Sequence, residues 1–158
     1  MPKANKTVKA KKATKAKATA KTRGLEKAVA LTSVDDLLGL ATDLRAAATD
    51  LDAKASTAPA EDKPELWAKA DDLRWQAQDI YTEAAELALS EIAPFVAEVV
   101  TQTADARKVI KKIDKIKNVI EIAGDLVHIA AAITARKVGP LKAWLKELKS
   151  DLEQYRKA

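Results

Sequence analysis

The sequence predicts an all-α protein, a helical bundle of about four helices behind a basic N-terminal tail, and three observations carry that expectation. Large aliphatic residues recur at spacings of three and four from Leu37 to Leu152, the period of a helix with one buried face. The chain has four Gly in 158 residues and few β-branched runs outside one central stretch, so the tight turns of a sheet have little to be made from. Hydrophobic residues make up 47% of the chain but aromatic residues only 4%, a balance that suits Ala- and Leu-rich helix packing and is ample for a core.

Charge divides the chain in two. Residues 1–23 hold Lys3, Lys6, Lys9, Lys11, Lys12, Lys15, Lys17, Lys21 and Arg23 and no acid. These nine of the 28 bases leave 19 against all 23 acids, so the tail is +9 and the remainder, residues 24–158, is −4. A segment of Lys, Ala and Thr cannot bury enough apolar surface to offset its ordering entropy, and it is expected to be disordered. Its composition resembles the tails of linker-histone-like nucleoid proteins, and the resemblance implies an association with DNA.

Behind the tail, residues 24–31 suit a short helical turn, and Ser33 with Asp36 offers an N-cap for a first helix carrying Leu37, Leu40, Leu44, Ala48 and Leu51. The polar stretch 56–63 ends that helix, and Pro64 suits the first turn of the next. There Leu66, Ala70, Leu73, Ala77, Ile80, Ala84 and Leu87 alternate steps of four and three over three heptads, the narrow seam of a bundle or coiled coil. Trp67 and Tyr81 widen the seam on one side, whereas Trp75 falls among Asp71, Asp72 and Asp79 on the outer face. Pro94 predicts a kink or a break near Ser90.

The richest aliphatic run spans residues 104–138 and reads as one long helix. Its first half sets Val109, Ile110, Ile113, Ile116 and Ile120 against a basic face of Arg107, Lys108, Lys111, Lys112 and Lys115. Its second half turns the apolar face, Val119, Ala123, Leu126, Val127, Ala130 and Ile133, by more than a third of a turn near Asn118. Either the helix breaks there, or two partners cover its two halves. Gly139 and Pro140 are placed to end it. A last helix then carries Leu141, Trp144, Leu145, Leu148, Leu152 and Tyr155.

Chemistry is sparse. The chain has no Cys and one His, His128, so thiol chemistry, disulfides and zinc fingers are excluded; no Gly-rich phosphate loop and no nucleophilic triad stands out, and neither an enzyme nor a cofactor is expected. Glu121, Asp125 and His128 share a stripe with Lys117. A carboxylate and an imidazole three apart make half of a carboxylate-bridged di-metal motif, but the motif occurs once, so a polar stripe with an i,i+4 Lys117–Glu121 pair is expected and no metal.

The functional expectation is a non-enzymatic binding or scaffold protein whose tail binds nucleic acid without reading sequence. Lysines offer charge but no rigid fork, and the tail has no aromatic to stack on bases. Arg107, Lys108, Lys111, Lys112 and Lys115 form a second candidate surface. A homo-oligomer or a helical protein partner would fit the body. The alternative is an amphipathic protein coating a membrane or apolar inclusion, suggested by the apolar central stretch and the amphipathic last helix. The acids and His128 inside the apolar run argue against a membrane span, and without an apolar h-region behind the basic start, a cytoplasmic and nucleoid-associated location is expected.

Overall fold

In the computed structural model, which describes residues 33–156, the first helix, α1, occupies residues 33–57. It buries Leu37, Leu40, Leu44, Ala48 and Leu51, the stripe its sequence marks. The tail and residues 24–31 lie outside the described residues. Helix α2, Lys63–Ala88, begins with Pro64 in its first turn, where a missing N–H costs nothing. All seven residues of its heptad seam are buried. Side-chain pairs fix α1 antiparallel to α2, with Arg45 donating to Gln78 at 2.7 Å and Arg74 paired with Asp52.

The chain leaves helical geometry after Ala88, turns through residues 89–92, and passes a short 3-10 helix, Ala93–Phe95, that holds Pro94. Helix α3, Val96–Lys112, and helix α4, Ile116–Thr134, follow, and α5, Val138–Arg156, closes the bundle. The body therefore contains five α-helices among the described residues, not four. The fifth comes from the apolar stretch 104–138, which is not one helix. Ile113 and Lys115 are extended, with ψ of 131° and 107°, and no Gly or Pro stands between them. The break is a tertiary solution to the rotated apolar face: two shorter helices can each turn their own stripe inward, which one straight helix could not.

Gly139 and Pro140 do not end α4. They sit in the first turn of α5, where proline needs no N–H partner. The stop is a Schellman turn, with Lys137 N–H donating to the Ala132 carbonyl and Arg136 N–H to that of Ile133, both at 3.0 Å. Its left-handed residue is Arg136, at φ 57°, a position where glycine would be unstrained.

Helix α4 is the hub, packed on α2, α3 and α5, while α5 also meets α3. All five helices supply residues to one hydrophobic cluster. Val119, Ile122, Leu126, Ile129 and Ile133 of α4 are buried in it. Ile113, Ile116 and Ile120, assigned by the wheel to a buried side, are only half-buried: Ile113 lies in the break, and α4 turns the stripe of Val119, Ile122, Leu126 and Ile129 inward, leaving Ile116 and Ile120 at its flank. Trp75 is 72% exposed, on the outer face its acidic neighbours imply.

Candidate nucleic-acid interface

Most of the basic cluster lies at the end of α3 rather than at the beginning of a helix, with Lys115 alone at the N-cap of α4. Lys111 and Lys112 occupy the last turn of α3, where the macrodipole is negative and cations are favoured by about 0.3–1 kcal/mol each. On a helix starting near residue 104 the same cluster would sit in the first turns and be disfavoured; since α3 starts at Val96, Lys111 and Lys112 are favoured by its dipole, whereas Lys115, at the N-cap of α4, still faces the positive end of that helix.

Arg107 does not belong to the exposed cluster. It turns toward α1, donating from Nε to Asp50 at 3.1 Å with Asp43 at 3.8 Å, and is half-buried. Its role is to tie α3 to α1. Lys108, Lys111, Lys112 and Lys115 are all exposed and form no ion pair among the described residues. Lys117 adds a further exposed cation in the first turn of α4. The nine bases of residues 1–23 lie outside the described residues.

Lys54 of α1 was not singled out by sequence reasoning. Its Nζ donates to the carbonyls of Ile113 at 2.6 Å and Lys111 at 3.3 Å, the carbonyls that the break deprives of helical partners. No local signal could have revealed this, because the partners lie 57 and 59 residues away. Two open grooves of about 450 Å³ flank the junction, one between Lys54, Lys115 and Lys117, the other between Lys112, Lys115 and Arg156. Asp114 reaches both and Asp62 one of them, so the surface is basic but not uniformly so. It offers lysine point charges suited to phosphate and lacks a planar fork for base edges.

The stripe of Glu121, Asp125 and His128 comes apart in three dimensions. His128 stacks on Trp144 with ring centroids 4.0 Å apart and planes 12° apart, its Nδ1 lying 2.6 Å from the Gly124 carbonyl. Asp125 points inward and is 6% exposed, with one carboxyl oxygen lacking a partner. Burial, then a hydrogen bond with Asp151 and the neighbouring charges of Asp151, Glu147 and Glu121, push its pKa up to about 8. Among the described residues no three His, Cys, Asp or Glu are grouped to hold a metal.

No protein-family model matches the chain, and neither a curated protein nor a solved structure does.

Proposed function

We propose that this chain is a helical binding protein whose Lys-rich N-terminal segment attaches it to nucleic acid through phosphates, without reading base sequence. The observation that carries the reading is the segregation of charge: nine bases and no acid in residues 1–23, ahead of a body of net charge −4. Each phosphate neutralised by a lysine releases condensed counterions, which favours binding to any polyanion of sufficient charge density. The exposed lysines around the α3–α4 junction add a smaller contact area of the same sign. The acidic remainder of the body would be repelled, which leaves the segment as the principal attachment point and the bundle as a spacer or a platform for other chains.

The membrane-coating alternative drew on the apolar stretch 104–138, and burial of α4 in the bundle accounts for that apolarity. No helix among the described residues is long and apolar enough to cross a membrane. The test compares the whole chain with one lacking residues 1–23, on duplex DNA, single-stranded RNA and anionic vesicles. Loss of most nucleic-acid binding on truncation, with a lesser loss for Lys111→Glu with Lys112→Glu, is the expected result. Equal binding by the truncated chain would move the site to the junction, and binding to vesicles alone would reverse the assignment.

A further inference from the structure

The exposed large hydrophobic side chains of the described residues all belong to α2 or to Leu89 just past its end, with Trp75 on the outer face and Trp67 and Tyr81 toward one flank. Trp75 is 72% exposed, Tyr81 57%, Trp67 49%, and Leu89 at the end of the helix 79%. Trp75 stands centrally on the outer side, with Asp71 and Asp72 one turn before it and Asp79 one turn after. From Asp71 to Glu86 the helix carries five acids and one base. That base, Arg74, is already matched by Asp52 and Asp71. Toward α1 the indole borders an open groove of about 490 Å³ that also holds Arg45, which donates to Gln78. Asp72 and Asp79 are exposed and make no ion pair among the described residues. An accessible indole ringed by carboxylates is a receptor for ammonium groups, by cation–π attraction above the ring and charge at its edge.

We propose that the outer face of α2 is the docking surface for this chain's own Lys-rich segment, residues 1–23, which lies there when it is not engaged by a polyanion. Three features select that occupant. Charge is complementary, +9 against an acidic strip. Topology brings the segment to the right end: antiparallel pairing of Arg45 with Gln78 and Asp52 with Arg74 carries α1 back so that residue 33 lies level with about residue 90, just past the end of α2 and near Leu89. Reach is sufficient, since residues 65–89 span ~36 Å at about 1.5 Å per residue, and the 32 residues before α1 extend up to ~105 Å at about 3.3 Å each. Tethering also raises the effective concentration of the lysines at the face to the millimolar range, so individually weak contacts suffice.

Docking and nucleic-acid binding use the same lysines and therefore compete. That competition rests on the functional reading above, whereas the docking does not. The consequence is a threshold: phosphates must displace an internal acidic surface, which disfavours short or weakly charged ligands.

The absence of cysteine makes a single introduced thiol a unique handle. A nitroxide on Ala13→Cys in the whole chain should broaden the indole N–H signals of Trp75 and Trp67 and spare that of Trp144, which is stacked on His128. The broadening should vanish at about 1 M salt, where the Debye length is ~3 Å, and in an Asp72→Asn, Asp79→Asn variant. Both sites are exposed, so the fold should be unaffected. That variant should also bind duplex DNA several-fold more tightly. Broadening of all three indoles alike, or of none, overturns the proposal. So does broadening that appears only when a nitroxide-bearing chain is mixed with an isotope-labelled one, which would assign the contact to a second copy. A chain that shows the broadening yet binds no nucleic acid would retain the docking and lose the functional reading; a chain that binds duplex without it would do the opposite.

Discussion

Helix α2 holds fewer large aliphatic residues per turn than the stretch 104–138, yet α2 is a single uninterrupted helix and the richer stretch is broken into two. In α2 the seam from Leu66 to Leu87 keeps one direction for three heptads, so a single line of contact with α1 and α4 covers it. In the stretch 104–138 the apolar direction swings, and the chain breaks at residues 113–115 although neither Gly nor Pro stands there. Constancy of the apolar direction, rather than density of apolar residues or absence of breakers, sets how far a helix in this bundle runs. The broken end is then repaired from a distance, by Lys54 on the α3 carbonyls.

The sharpest way to break this comparison is to charge each seam. Leu73→Asp places a carboxylate in a fully buried position and should cost roughly 3–5 kcal/mol or abolish folding. Ile120→Asp, at a half-buried site on the flank of α4, should cost about 1–2 kcal/mol. Urea denaturation measures both; equal losses would mean that the two seams are equally enclosed.

A second test separates the two helices by their buried acids, because α4 carries one and α2 none. The folded pKa of Asp125 is raised to about 8, above its value of about 3.9 in an unfolded chain. The native state therefore holds a proton that the unfolded state releases. The stability this contributes is fully present below pH ~4 and is lost as pH rises toward 8. Asp125→Asn should stabilise the protein at pH 8, where the wild-type carboxyl costs most, and change little at pH 4. Denaturation at the two pH values checks the sign, and a benefit confined to pH 4 would contradict it.

Smaller effects probe the helix ends. Lys54→Met keeps the apolar stem but removes the donor to two carbonyls, and should cost about 1 kcal/mol while accelerating amide exchange near the α3–α4 junction. Arg136→Gly relieves the left-handed strain of the Schellman turn at the expense of an exposed pair with Glu86, and should gain ~0.5–1 kcal/mol in thermal unfolding.

The part of the fold that was legible follows from periodicity. The α1 stripe, the α2 seam, the outward Trp75 and the buried leucines of α5 are all readable from spacing, because burial of one helix face repeats locally. What was not legible depends on residues far apart in the chain. Arg107 is indistinguishable in sequence from Lys108 or Lys111 until α1 brings Asp50 and Asp43 beside it. The break at 113–115 was visible only as a rotated face near Asn118, a few residues late. The Gly139–Pro140 pair misled because the same two residues suit the stop of one helix and the start of another, and Arg136 took the left-handed position that glycine usually holds. For the candidate interface, its exposed lysines were legible as a cluster, but not that they end α3, nor that Lys54 lies among them.

The most direct measurement is the salt dependence of duplex binding, made on two unrelated sequences with the whole chain and with residues 1–23 removed. If all nine bases engage phosphates, the slope of log affinity against log salt approaches about −8, at ~0.9 counterion per duplex contact, and is the same for both sequences. Removal of the segment should then collapse both affinity and slope. A slope near zero, a strong preference for one sequence, or an unchanged slope after removal would contradict the account.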